Sequence, residues 1–270
     1  SGTSYADESL FTMGSSSVVL YAQWVAIDHI IYFDSNGGSG SMVNIVVNEG
    51  KIINLPPNTF TKEKFLFSSW NTESDGSGIT YADEDIFNMG LSDIILYAQW
   101  HPDKSFIPFR STWNTENTSD SSSAYNQLTL PLIDGGTYDF IVDWGDGTES
   151  YITSYDSSET IHTYDVSGTY DLQIWGNICG FYFNNTGDKL KFLNIKEWGP
   201  LLLVNQSNFF GAENFIITAT DIPDLTETTT MLLMFANCTS LTTIPRINEW
   251  DTSSVTSMSN MFYNASSFNQ

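Results

Sequence analysis

The chain has 270 residues with 9 Lys or Arg and 32 Asp or Glu, and its formal net charge is −23. This charge excludes a nucleic-acid partner, because phosphates must be neutralised by basic side chains, and no apolar run is long enough for membrane insertion. Two cysteines exclude a disulfide-stapled scaffold, and three histidines leave little for a His-based catalytic centre.

The chain begins with half of an internal repeat. Residues 2–24 and 78–100 are identical at 14 of 23 positions after a shift of 76. We therefore predict that residues 25–100 are one complete unit and that residues 1–24 are the C-terminal part of the unit before it. The chain is expected to start inside a longer protein, so that a missing signal peptide carries no information.

The complete unit reads as a small β-rich module. An apolar run is followed by Asn-Gly-Gly, which supplies the left-handed positions of a hairpin turn. A pair of prolines then interrupts the chain. The predicted elements are strands at 30–33, 42–47, 65–70 and 94–100, and a short helix at 61–64.

The segments FDSNGG, Phe67-x-x-Trp70 and LYAQW carry a family resemblance. They resemble the Listeria–Bacteroides repeat, also called the internalin B-type repeat, which implies a β-grasp (α+β) module of secreted surface proteins. Trp24, Trp70 and Trp100 are expected to close small cores, since aromatic side chains dominate burial in small domains. The alternative is that exposed aromatics of this unit bind a ligand.

Residues 101–180 contain further strands around an acidic turn. Runs at 106–113, 128–132, 138–142 and 171–175 read as strands, and 114–127 reads as a polar loop. The pieces WGDGT, HTY and GTY occur in that order and resemble a PKD domain, an immunoglobulin-like β-sandwich. That resemblance implies that His162 braces the Asp-Gly turn.

Four carboxylates of this segment are candidates for a Ca²⁺ site, because hard cations prefer oxygen ligands. They are Asp134, Asp139, Asp143 and Asp146. Their spacing is not that of a twelve-residue EF-hand loop, and the favoured alternative is turn capping on a solvated acidic face.

Residues 181–270 repeat with a period near 27. Met231, Met234 and Phe235 match Met258, Met261 and Phe262, and this stripe is expected to be core rather than a binding surface. One helical or 3₁₀ turn is predicted there, and the Ile-x-x-Trp pieces at 195–198 and 247–250 are predicted to be short strands. Cys238 is expected to be a small buried residue, with a Cys179–Cys238 disulfide as the less favoured alternative.

The segment WDTSSVTSMSNMF resembles BspA-like leucine-rich-repeat surface proteins. Together, the resemblances imply a multidomain, mainly β protein. Its predicted order is a partial β-grasp repeat at 1–24, a complete one at 25–100, a PKD-like β-sandwich at 101–180 and a truncated leucine-rich-repeat-type solenoid at 181–270.

No serine-hydrolase, zinc-protease or P-loop motif occurs, so we expect a non-catalytic extracellular surface protein acting as stalk and adhesion module. Its expected partners are proteins or glycans on host, matrix or neighbouring cells, and neighbouring repeats of the same chain. One alternative is a structural subunit of a sheath or filament, bridged by Ca²⁺. Another is a carbohydrate-binding accessory region of a secreted enzyme, in which Trp113 or Trp175 stacks on sugar rings.

Overall fold

The computed structural model describes residues 4–204 and 206–270, which are almost entirely strands and turns. These residues contain no α-helix, and two short 3₁₀ helices lie at Ser158–Thr160 and Ile247–Glu249. The strands are β1 Asp28–Asp34, β2 Ile45–Asn48, β3 Ile52–Asn54, β4 Phe65–Asn71, β5 Thr80–Tyr81, β6 Ile86–Asn88, β7 Ile94–Pro102, β8 Phe109–Asn114, β9 Gln127–Thr129, β10 Tyr138–Asp143, β11 Glu149–Ile152, β12 Ile161–Thr163, β13 Thr169–Cys179, β14 Phe192–Glu197, β15 Leu201–Leu202 and β16 Ile216–Ile217.

The repeat unit forms a five-stranded sheet in the order β2-β1-β7-β4-β5. β1 pairs with β7 in parallel, whereas β2 on β1 and β4 on β7 are antiparallel. Alternate side chains of these strands point to one face, as the two-residue period of a strand requires. They form a core of their own with the small β3–β6 sheet, and Ile31, Trp70, Leu96 and Ala98 are completely buried in it.

The hairpin predicted after β1 is present, but its loop spans residues 35–44. Asn36 and Gly37 have φ of 47° and 82°, the left-handed values that favour Asn and Gly. The predicted helix at 61–64 is wrong. Thr61 instead exchanges two backbone hydrogen bonds with Ser39, which a helical turn would break, and Lys64 has a φ of 65°.

The three repeat tryptophans have different environments. Trp70 and Trp100 are buried, as predicted, and the Trp100 indole donates to the Ser35 carbonyl at 2.9 Å. Trp24 is 91% exposed, so the prediction for it is wrong. Residues 4–27 form no strand and pair with no strand of the described chain.

A second core extends without a break from Phe109 to Met261. Its seven-stranded sheet has the order β11-β10-β13-β8-β14-β16, with β15 on β13, and the two-stranded sheet β9–β12 contributes Leu128. β14 pairs with β8 across the predicted division at residue 180, so the last segment adds strands to the sheet of the preceding one. The domain boundaries themselves stay predictions of the sequence.

The C-terminal segment winds in coils that pair backbone to backbone. Phe183, Phe209 and Phe235 each donate a backbone hydrogen bond to the next coil, to the carbonyls of Asn208, Met234 and Met261. The prediction that the methionine stripe faces inward is confirmed at four positions. It is wrong for Met258, which is 45% exposed. The buried members are Met231, Met234, Phe235 and Met261.

The helical turn and one of the two strands predicted for these coils are not observed. The Met-Phe segments are hydrogen-bonded turns. Residues 195–197 lie in β14, where they pair with β8, but residues 247–249 form a 3₁₀ helix that no strand of the described chain pairs with.

Candidate functional site

The Asp-Gly turn contains two of the candidate calcium ligands, Asp143 and Asp146, and side-chain hydrogen bonds hold it in place. The Asp146 carboxylate accepts from the Thr148 amide at 3.0 Å, and its other oxygen lies 2.7 Å from His162 Nε2. The His162 ring stacks on the buried Trp144 ring at 4.8 Å. The geometry thus agrees with the role implied for His162, since its ring fixes the turn and sits against a buried indole.

Two buried aromatic side chains support the same turn. The Tyr164 hydroxyl donates to the Trp144 carbonyl at 3.0 Å, and burial raises the pKa of Tyr164. Burial also acts to raise the pKa of Asp146, but hydrogen bonds from Thr148 and His162 outweigh it and hold that pKa below its usual value. The carboxylate is therefore kept ionised as a structural acceptor.

The other three candidate calcium ligands lie in different networks. Asp139 forms an ion pair with Lys62 at 2.7 Å, and the Asp143 carboxylate caps the Gly145 amide at 2.8 Å. Asp134 interacts with the exposed Tyr155. Among residues 4–204 and 206–270, no three His, Cys, Asp or Glu side chains form a group that could hold a metal ion. The calcium site stays a prediction.

A buried ion pair that the sequence reasoning missed links the polar loop to the C-terminal segment. Lys191 and Asp188 side chains are completely buried, 3.3 Å apart. The Lys191 ammonium also donates to the carbonyls of Ala124 and Gln127, both at 2.8 Å. Asp188 accepts from the Ser123 amide at 2.8 Å. The sequence does give one indication of a buried lysine, because Lys191 lies between Leu and Phe in a chain with few basic residues.

The repeat unit and the second core meet through a half-buried polar contact. The Asp139 carboxylate receives the Lys62 ammonium on one oxygen and the Tyr151 hydroxyl on the other, at 2.7 and 2.6 Å. Burial, helped by Asp139, raises the pKa of Tyr151. The Tyr151 ring also lies parallel to the ring of His101 in β7, so two contacts join the repeat unit to the second core.

An open groove of about 270 Å³ lies where the three predicted segments meet. Trp175 of β13 lines it, and its indole donates to the Phe106 carbonyl at 3.1 Å. Trp113, the other predicted sugar-stacking residue, is completely buried among Phe181, Phe183 and Phe192, so the prediction for it is wrong. The complete lining is Lys64, Asp103, Phe106, Ile107, Trp175, Gly176, Gly199, Pro200 and Asp221.

Both cysteines are free, and the Cys179–Cys238 disulfide is absent. Cys238 is completely buried, as expected, and burial raises the pKa of its thiol. It donates to the Phe209 carbonyl at 3.2 Å and is therefore a packing residue of the coils.

Within the described residues, no helix has both the length and the apolar character needed to cross a bilayer.

Two family models match parts of the chain. Residues 29–99 match the Listeria-Bacteroides repeat domain, which confirms that resemblance. Residues 181–270 match a model described as Mycoplasma protein of unknown function, DUF285. No match supports the leucine-rich-repeat or PKD resemblance. No solved structure matches the chain.

Two curated relatives come from Evansella cellulosilytica. One, named "Putative Gly-rich membrane protein", is 32% identical over 126 residues, which is 45% of this chain and 14% of the relative. The other, named "Putative membrane protein", is 30% identical over 89 residues, 32% of this chain and 13% of the relative. The chain thus spans about one seventh of the length of these relatives. It is a repeat-domain protein, and the families and relatives it resembles are repeat or uncharacterised proteins.

Proposed function

We propose that the chain is a stalk and adhesion region of a non-catalytic, extracellular cell-surface repeat protein. The observation that carries this proposal is the fixed connection between its cores. β7 runs from the first core to Pro102 at the second, and the Lys62–Asp139 ion pair closes the same junction. The second core then continues into the C-terminal coils without a break. A fixed connection between the cores and the coils suits a protein that must hold interaction surfaces away from its attachment point.

The architecture proposed for the stalk has three parts. Residues 25–100 form a β-grasp repeat, 101–180 a PKD-like sandwich, and 181–270 a leucine-rich-repeat-type solenoid, with 1–24 part of a further repeat. The parallel β1–β7 pair supports the first part. The backbone ladder between successive coils supports the third, because stacked repeats bury what one repeat cannot.

The partners proposed are proteins or glycans on host, matrix or neighbouring cells. Repeat modules present the same kind of face several times, which favours interaction with extended partners. The match to the Listeria-Bacteroides repeat domain and the names of the two relatives as membrane proteins support a surface location.

Surface location is tested on intact cells of the organism that produces the chain. Antibodies against residues 25–270 are expected to label unpermeabilised cells, and protease treatment of those cells should remove the signal. An epitope confined to the cytosolic fraction and protected from the protease would refute the proposal. A cytosolic marker protein serves as the control for cell integrity.

A further inference from the structure

The groove at the junction of the three segments exists only when all three are in place. Lys64 and Asp103 come from the repeat unit and the segment directly after it, Trp175 from β13, and Pro200 and Asp221 from the C-terminal part. A ligand in this groove would therefore contact every part of the stalk and would stabilise their relative placement.

The apolar part of the groove is aromatic and accessible. Phe106 is 47% exposed, Ile107 is 65% exposed and Trp175 is half-buried. The Trp175 N–H is already used by the Phe106 carbonyl, so the ring offers a ligand an apolar surface and no free donor. The Lys104 ammonium lies over one face of the ring, 5.4 Å from its centroid, and also pairs with Glu149.

The polar part of the groove carries charges of both signs. Both Asp221 oxygens accept from the Trp198 amide, at 3.1 and 2.9 Å, and Oδ2 also accepts from the Gly199 amide at 3.0 Å. These bonds fix the carboxylate and use three of its roughly four acceptor positions. Asp103 is held in the same way by the Ser105 amide at 2.9 Å. The Lys64 ammonium forms no ion pair within the described part of the chain. It lies near enough to Asp224 to add to the Thr226 hydrogen bonds that lower the pKa of that carboxyl. The rim thus offers fixed acceptors and one available donor.

We infer that this groove binds part of a neutral oligosaccharide. A sugar ring has an apolar C–H face that packs on an aromatic ring and a periphery of hydroxyl groups that both donate and accept hydrogen bonds. The groove offers an aromatic floor with carboxylate acceptors and an ammonium donor at its rim, which is the matching pattern. Its volume is just below the 300–1,000 Å³ typical of drug-sized ligands, which suits one end or one segment of a glycan.

This inference deepens the proposed adhesion role and rests on it, because it names the class of partner. A peptide is the less suitable occupant. A peptide backbone needs a row of paired donors and acceptors, whereas the groove offers side-chain groups on an aromatic surface.

The test is a binding titration of the full 270-residue chain with hexasaccharides of glucose, mannose and N-acetylglucosamine. At least one is expected to bind with a Kd between about 10 µM and 1 mM. Trp175→Ala should weaken binding about tenfold or more, since aromatic anchors dominate small interfaces. Trp175→Phe, which keeps an aromatic face, should retain most of the affinity. Phe106→Ala provides a second lining variant and should also weaken binding.

Trp24→Ala is the matched control, because Trp24 is 91% exposed and lies outside the groove. It should bind as tightly as the unchanged chain. The inference is overturned if no hexasaccharide binds, or if Trp175→Ala binds as well as Trp24→Ala while both remain folded by circular dichroism. Such results would leave the surface location untouched, since cell labelling measures it independently.

Discussion

At the scale of single residues, the buried Lys191–Asp188 pair and the Asp146–His162 brace have the clearest energetic consequences. Both place ionised groups against fixed partners, but only the first is completely buried. Removing one member of a buried pair leaves the other charge without a counter-charge in a low-dielectric site. The two sites therefore predict effects of different size and different pH dependence.

Lys191→Met is expected to destabilise the chain by about 3–5 kcal/mol, because Asp188 and the carbonyls of Ser123, Ala124 and Gln127 would lose their donor. Denaturant unfolding followed by fluorescence measures this change. Lys196→Met is the matched control, since Lys196 pairs with Asp171 on the surface. Its effect should stay below about 1 kcal/mol. Equal effects of the two substitutions would contradict the structural role assigned to Lys191.

Asp146→Asn is expected to lower stability at pH 7 by about 1.5 kcal/mol, since hydrogen bonds to an ionised group are lost. The folded-state pKa of Asp146 lies below the ordinary value of 3.8. Its contribution is therefore present above that pH and is lost as pH falls through the folded pKa. Melting curves between pH 7 and pH 2.5 should show the difference from the unchanged chain shrinking in the acid range.

Asp120→Asn, at an exposed loop position, should show no comparable difference at any pH. If the difference in stability between Asp146→Asn and the unchanged chain grew towards low pH, the predicted pH dependence would be wrong.

At the scale of elements, each C-terminal coil turns at residues with a left-handed backbone, and these corner residues recur once per coil. Ser207, Leu233 and Asn260 have φ of 59°, 57° and 54°, and a second corner recurs in the same coils. Side chains at these corners are strained unless they are Gly, Asn or Asp. The rings of Phe209, Phe235 and Phe262 stack at 5.6 and 5.5 Å between the corners. The members of the second corner are Asn185, Gly211, Asn237 and Asn264.

A pair of substitutions at Asn237 tests the corner. Asn237→Ala is expected to be about 1 kcal/mol less stable than Asn237→Gly, because alanine resists a φ of 57° whereas glycine does not. Both variants lose the same hydrogen bond from Asn264, so it cancels in the comparison. Denaturant unfolding measures the difference.

Asn117, which has no left-handed backbone, provides the control pair. There alanine should be as stable as glycine or more so. The same order at both positions would argue against a strained corner at residue 237.

At the scale of the whole molecule, the cores are joined in series rather than merged into one globule. Buried residues between Ile31 and Trp100 form one apolar cluster and those between Phe109 and Met261 form another, with exposed surface around both. The formal net charge of −23 produces repulsion between the repeat unit and the second core, which opposes their close packing. Specific contacts such as Lys62–Asp139 must therefore hold the junction together.

Lys62→Met is expected to loosen that junction, because Asp139 would keep only its Tyr151 partner. The exposed connection at 104–107 should then be cleaved several-fold faster in limited proteolysis, while each core stays folded. Lys51→Met is the control, since Lys51 is exposed and far from the junction in sequence. Unchanged cleavage of the Lys62 variant would show that aromatic packing alone holds the junction.

The sequence by itself determined the local elements and the repeats. Alternation and turn residues located β1, β4, β7 and β13 because a strand's inward residues must be apolar and its ends must turn. The period near 27 located the coils because each repeat buries the same positions. The bracing role of His162 was only implied by the PKD resemblance, and its contact with Asp146 agrees with that role.

Only the tertiary structure decided which surfaces are free and which charges are buried. Trp113 and Trp175 both lie in strands, yet one is enclosed by three phenylalanines and the other lines an open groove. Lys191 meets a loop more than sixty residues away, and Trp24 lies exposed in a segment without strands, although the matching Trp100 is buried. The physical reason is the same in each case: burial depends on contacts between segments distant in sequence, and periodicity records only the local pattern of each segment.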